Sequence, residues 1–261
     1  MYAMEDELKA AFPEASIVSA GQEFNPQLYA LAAIEARFRS AATIKFGNTL
    51  TDDQLADKSF EVIFANPPYG GDWKDIKDQV AADASGRFNS KRMPTVADSQ
   101  LLFLQHAHHH LSAEGIGFIV HSGSSLFSGD AGSGESETRR FLFQETDSVE
   151  AIVQMPQGEF FNTGINTYMW ILNKNKPNER KNKVLLINAE TLCSKLKKNL
   201  NKKNVEIDAK SRAVIAQILN DFSNGPYSRV VGVDELLYNN VSIEVTHVDA
   251  SGLCVKDTIS L

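Results

Sequence analysis

A chain of 261 residues has room for one large α/β domain or one domain with an appendage, and its 43% hydrophobic content is ordinary for a protein with a sizeable core. No apolar run is long enough to span a bilayer and no signal-peptide pattern opens the chain, while two distant cysteines, Cys193 and Cys254, suit a reducing compartment; the expected address is the cytoplasm, with no membrane partner. The net charge of −7 argues against a generic nucleic-acid binder.

Residues 1–11 read as a helix and 16–20 (SIVSA) as a strand. Asn25 is placed to cap a helix over 26–38, with Pro26 at its first position, where a missing N–H costs nothing. Strands follow at 43–47 and 61–65. A long helix is expected over 97–111, closed near Gly115, then a strand at 116–121. Residues 122–136 (SGSSLFSGDAGSGES) lack the Gly-Lys-Ser/Thr ending of a phosphate loop and read as a mobile loop. A helix over 135–144 and strands at 149–155, 167–173 and 184–188 come next. After a polar break at 173–182, residues 208–222 form an amphipathic helix, and the chain beyond is weakly patterned. The alternation implies an α/β fold built on a doubly wound, mostly parallel sheet.

Residues 60–71, FEVIFANPPYGG, carry the chemistry. Ligands of open α/β sheets bind beyond the carboxyl ends of the strands, and Asn66 stands at such an end. Pro67 and Pro68 donate no hydrogen bond and stiffen the loop, so the Asn66 amide and the Pro67 carbonyl are displayed as acceptors beside the Tyr69 ring. That set suits a nucleobase amine. Two acceptors for its N–H groups favour a more tetrahedral nitrogen and free its lone pair for attack, while Tyr69 stacks on the base through its ring, the hydroxyl being dispensable. The base must leave the duplex to be reached.

Further motifs narrow the reading: Gly21-Gln22-Glu23 with Asn25-Pro26 ahead of a helix, Gly47-Asn48-Thr49-Leu50, Gly132-Ser133-Gly134-Glu135-Ser136-Glu137 and Asn162-Thr163-Gly164-Ile165. On these residues the chain, from about residue 5 to 222, resembles the S-adenosylmethionine-dependent adenine-specific DNA methyltransferases. Within them it resembles the modification subunits of type I restriction–modification systems. The resemblance implies a class I methyltransferase fold and S-adenosylmethionine as methyl donor. It implies catalytic roles for Asn66, Pro67, Pro68 and Tyr69, and packing of Phe160 on the flipped base opposite Tyr69, a place Phe161 could take instead. Glu23 would hold the cofactor's ribose, or else serve as an acid at a helix start. Asn48 stands where the family usually carries Asp and would meet the cofactor's adenine amine without charge assistance. The implied partners are DNA and the specificity and restriction subunits of such a system.

The family's glycine-rich cofactor loop follows a first strand roughly 20 residues ahead of the acid. No glycine precedes Gly21 here. The expectation is therefore a catalytic domain over 1–190 lacking its first strand and loop, with a helical and mixed extension over 191–261 packed on it. Alone it would bind S-adenosylmethionine weakly and methylate nothing. The strands at 16–20 and 61–65 would keep unpaired edges or be forced together, which invites self-association. Two alternatives stand beside the adenine reading: a methyltransferase for protein glutamine or ribosomal guanine, and a non-catalytic remnant or assembly module.

Two clusters are left over. His106, His109 and His110 could meet on a helix to hold zinc, but no carboxylate or cysteine is near in sequence, so an exposed helix end and no metal are expected. Between 174 and 203 stand ten Lys/Arg against two acids. That patch is compatible with a polyanion, yet charge alone favours a solvated surface.

Overall fold

The computed structural model describes residues 2–39, 41–161, 163–238, 242–248, 250–252 and 254–260. Helix α1 (Tyr2–Ala11) leads to strand β1 (Ser19–Glu23), helix α2 (Pro26–Ala36) and strand β2 (Ala42–Phe46). Asn25 starts α2 as expected: its Oδ1 accepts from the Gln27 and Leu28 N–H groups at 2.9 and 3.1 Å. Strand β1 begins three residues later than the apolar Ile17-Val18 pair suggests, because pairing with β2 runs from Ser19 to Glu23. The shift makes Glu23 the last residue of the strand.

The main sheet has six strands. They are β3 (Phe60–Ala65), β4 (Leu111–Ser122), β5 (Val149–Gln154), β6 (Thr167–Asn173), β7 (Lys183–Asn188) and β10 (Ser228–Gly232), in the order β10-β7-β5-β6-β4-β3. Strands β3, β4, β5 and β7 are parallel; β6 and β10 run against their neighbours. Strands β8 (Ser194–Leu200) and β9 (Lys203–Glu206) form a separate antiparallel pair, as do β11 (Ser242–Val248) and β12 (Cys254–Ser260). Strand β4 starts directly at the end of a helix, at Leu111, so Gly115 lies inside the strand rather than closing the helix. There a side chain would meet the Phe60 carbonyl of β3.

Helices α3 (Lys77–Ala81), α4 (Gln100–His110), α5 (Ser124–Phe127), α6 (Gly134–Arg140) and α7 (Ala209–Asp221) are the other described α-helices. Alternation along the strands divides the core between the two faces of the sheet. Trp170 and Leu172 of β6 join Leu104 of α4 and Ile119 of β4 on one face, while Ile171 of β6 joins Val153, Leu185 and Ile187 against Ile215 of α7 on the other. Such two-sided burial is what a parallel sheet requires. Among the described residues no helix is long and apolar enough to cross a membrane.

Strands β1 and β3 are not paired with each other. Each has one neighbour among the described residues, β1 in its two-stranded sheet and β3 at the edge of the six-stranded one. Of the two outcomes expected for these strands, unpaired edges are found. Val62 and Phe64 of β3 are 38% and 40% exposed, and Leu28, Leu31 and Ile34 line an exposed apolar stripe on α2.

Burial pushes His121 down to about 3 and His108 down to about 4, the latter with help from the Lys174 and Arg92 charges. A ring held neutral in the fold but free to charge near pH 6.5 in the unfolded chain makes unfolding take up a proton. Its contribution to stability is whole above about pH 6.5 and is lost as the pH falls toward those lowered values, by up to about tenfold in the folding equilibrium per pH unit for each ring. Urea midpoints are expected to fall steadily below about pH 6.5; a flat profile through that window would mean that the rings charge freely in the fold.

Candidate active site at the carboxyl ends of the strands

Strand β3 stops at Ala65 because Pro67 and Pro68 have no N–H to continue a ladder. Asn66 is exposed, Pro67 buried, Pro68 exposed and Tyr69 half-buried. The Tyr69 hydroxyl donates to Asn66 Oδ1 at 2.5 Å. The hydroxyl thus makes a contact that the ring alone would not, and it fixes the orientation of the Asn66 amide. Burial pushes the Tyr69 phenol up to about 12, with the Asn66 bond acting the other way, so it remains a donor through neutral pH. Phe160 faces Tyr69 edge-on with 6.5 Å between ring centroids, while Phe161 is 55% exposed and turned to Lys203. Of the two phenylalanines, it is Phe160 that meets Tyr69. Asn162 lies outside the described residues; beyond it Thr163 Oγ1 accepts from the Ile165 N–H, and the Gly164 carbonyl accepts from Gln157 Nε2.

The Asn66 loop is held from behind. The Gly71 carbonyl accepts from the Ser99 N–H at 2.9 Å, the Trp73 N–H donates to the Val96 carbonyl and Trp73 Nε1 to the Thr95 carbonyl. The segment that receives it is fixed in turn by the stretch expected as a mobile loop. Ser133 caps α6, accepting from the Ser136 N–H, and the buried Glu135 accepts from the Thr95 N–H at 2.6 Å. Gly134 lies against the Met93 backbone so closely that a Cβ would overlap the Met93 carbonyl. Ser122 and Ser124 bind Gln100 and Asp98 at the start of α4. Residues 122–136 are therefore a structured brace, tied down because their serines and Glu135 satisfy neighbouring backbone and amide groups. Glu135 and Gly134 escaped the sequence reading as positioning residues, although Ser133 ahead of Gly134-Glu135 carries a helix-start signal.

Glu23 and Asn48 stand at the neighbouring carboxyl ends of β1 and β2, where the Gly47 N–H donates to the Glu23 carbonyl. Glu23 Oε1 accepts from the Asn25 N–H at 2.7 Å, so the side chain serves the entry to α2 and keeps its other oxygen for a ligand. Asn48 Oδ1 accepts from the Leu50 N–H at 3.0 Å and retains a second lone pair. Gly47, at a φ of 149°, allows the turn; a Cβ there would crowd Gln54, Asp52 and Gln22. This donor set fits the adenosine half of S-adenosylmethionine: an acid for ribose hydroxyls and an amide for an adenine edge.

Of the three histidines only His109 is exposed at the helix end; His106 is half-buried and His110 is buried. His110 is 3% exposed; its Nδ1–H donates to the Lys58 carbonyl at 2.8 Å, and its Nε2 stands 2.7 Å from Asp53 Oδ2. Asp53 thus supplies the carboxylate that sequence proximity did not, and its ligand atom lies within 4.8 Å of those of His106 and His110. An Arg87 guanidinium nitrogen already stands 3.2 Å from Asp53 Oδ2 and 3.1 Å from His106 Nδ1, where a cation would have to sit. The cluster is a buried ion-pair network that fastens the loop after β2 to α4.

The fold and these motifs have relatives. A family model described as N-6 DNA Methylase matches residues 3–251. The methylase subunit of the MjaIX type I restriction enzyme from Methanocaldococcus jannaschii is 29% identical over 69% of this chain and 32% of its own length. The HindI methylase subunit from Haemophilus influenzae is 32% identical over 66% of this chain and 38% of its own length. This chain thus spans about a third to two fifths of the curated relatives it matches. Among solved structures, the type I restriction-modification methyltransferase subunit of Streptococcus thermophilus superposes with a TM-score of 0.71 at 24% identity, covering 84% of this chain and 45% of that one. The architecture is that of class I S-adenosylmethionine-dependent methyltransferases, and with a family model that spans almost all of its residues, the chain belongs to the N-6 DNA methylase family.

Proposed function

We propose that this chain is the catalytic part of an adenine-specific DNA methyltransferase, the modification subunit of a type I restriction–modification system acting in the cytoplasm with a specificity subunit and a restriction subunit. The observation that carries the reading is the exposed Asn66 amide at the end of β3, with Tyr69 bonded to it and Phe160 facing Tyr69. A base stacked on the Tyr69 ring beside Phe160 would place its amine against Asn66 Oδ1 and the Pro67 carbonyl. Those two acceptors hold the N–H groups and turn the nitrogen lone pair outward. S-adenosylmethionine, when bound, supplies an electrophilic methyl group. Glu23 and Asn48 hold its ribose and adenine, which leaves the zwitterionic methionine end without an assigned partner among the described residues.

That gap, together with the two unpaired strand edges, favours a second reading for the chain by itself: a module that binds cofactor weakly and associates with another polypeptide or with itself through β1 and β3. One assay addresses both. Methyl transfer from labelled S-adenosylmethionine to adenine-containing duplex DNA is measured for the chain alone, its mass followed by light scattering, and for the chain assembled with the specificity subunit of its system. The expected product is N6-methyladenine in the assembled sample, with little transfer by the chain alone and a mass above that of a monomer. Label entering a protein glutamine or a guanine instead would overturn the adenine reading. Efficient transfer by a clean monomer would overturn the module reading.

A further inference from the structure

The lysine-rich run that reads as a solvated surface folds into the β8–β9 hairpin, and this hairpin is fastened to the loop that carries Phe160. Residues 194–204 hold five lysines and no acid, on a chain of net charge −7. Of the five, Lys203 turns inward: its Nζ donates to the Glu159 carbonyl and carboxylate, both at 2.7 Å. Lys195, Lys197, Lys198 and Lys202 are exposed and have no ion pair among the described residues. The strands fall out of register between Lys195 and Leu200, where β8 takes five steps while β9 takes two from Val205 to Lys203. The extra residues of β8 include Lys197 and Lys198, both exposed.

The fastening is completed by backbone N–H groups of the hairpin and of Ile207 just after it. The Lys202 N–H donates to the Phe161 carbonyl at 3.1 Å, the Asn204 N–H to the Gly158 carbonyl at 2.9 Å and the Ile207 N–H to Glu159 Oε2 at 3.0 Å. The hairpin is therefore tied to the residues on either side of Phe160. Lysines also guard exposed strand edges against aggregation, but that role does not call for four uncompensated charges joined to the one loop that faces Tyr69.

We propose that the β8–β9 hairpin grips the phosphates of the DNA strand next to the flipped base, with Lys195, Lys197, Lys198 and Lys202 as the contacts. The proposal rests on the adenine methyltransferase reading, since the flipped base is what brings a phosphate backbone to Phe160. Lysines are single-point phosphate contacts without sequence preference. Each one neutralising a phosphate steepens the dependence of log affinity on log salt by about 0.9.

The test combines binding and footprinting on the chain and on its complex with the specificity subunit. Lysine acetylation is read by mass spectrometry with and without an adenine-containing duplex. The four hairpin lysines are expected to be protected, while Lys58 and Lys181, at the amino ends of β3 and β7, are not. The fourfold Lys→Gln variant is expected to bind the duplex about tenfold or more weakly at low salt, with a salt slope shallower by about three to four. The double variant Lys58→Gln, Lys181→Gln is expected to leave footprint and slope as they are. Unprotected hairpin lysines, or an unchanged slope in the fourfold variant, overturn the proposal even where adenine methylation is observed. Protection and a shallower slope without adenine methylation would leave the hairpin as a DNA surface and remove the enzymatic reading alone.

Discussion

Replacing Asn66 by alanine in the assembled enzyme is expected to lower the rate of methyl transfer about 10²–10³-fold, by analogy with the loss of one preorganised polar group at other sites, and to leave DNA affinity unchanged. Asn66 is exposed at the end of β3, and the nearby chain spends its hydrogen bonds on orienting it, since the Tyr69 hydroxyl donates to its Oδ1 at 2.5 Å. On the proposed reading the amide oxygen acts on the amine as its lone pair is released, and not on a phosphate. Its removal should therefore appear in kcat rather than in binding. Tyr69→Phe separates the hydroxyl from the ring. It is expected to cost less than Tyr69→Ala, which forfeits base stacking of about 1–3 kcal/mol. Transfer by Asn66→Ala at close to the parent rate would exclude Asn66 from the chemistry.

Gly134→Ala is expected to be the most damaging single-methyl addition at the site, although Gly134 touches none of the reacting groups. A Cβ at Gly134 would overlap the Met93 carbonyl, and this is backbone, which cannot swing aside as a flexible side chain can. Relief requires α6 and the Met93–Thr95 segment to part, at a cost of about 1–3 kcal/mol in stability for overpacking. The displacement then passes along hydrogen bonds: Glu135 releases the Thr95 N–H, and Thr95 and Val96 hold Trp73, just after the Asn66 loop. A shift of about 1 Å in catalytic geometry can cost 10²-fold in rate. The expected result is a lowered urea midpoint together with a reduced kcat. Gly164→Ala, with nothing among the described residues within 4 Å of the added methyl, serves as the control and is expected to change neither. A Gly134→Ala protein with parent stability and rate would show that the brace does not position the loop.

What the sequence determined by itself is the part governed by short-range chemistry. Asn25 and Pro26 start α2 because an amide oxygen and a missing N–H act within one turn. The Pro67-Pro68 pair ends β3 and leaves Asn66 at a carboxyl end because neither proline can donate to a ladder. Strand β6 falls on the residues its apolar pattern marks, and the alternation of strands and helices was enough for the doubly wound sheet. Tertiary structure decided what depends on residues far apart in the chain. Pairing with β2 moved β1 onto Glu23, and pairing with β3 carried β4 back to Leu111. Asp53 reached His110 across 57 positions and buried a histidine that its own helix would have left in water. The glycine–serine stretch became a brace because Met93 and Thr95 lie against it, and the lysine run became a hairpin beside Phe160 because Glu159 and Gly158 hold it there. In each case the local sequence leaves several conformations close in free energy, and only a distant partner that satisfies a donor or removes apolar surface from water selects one of them.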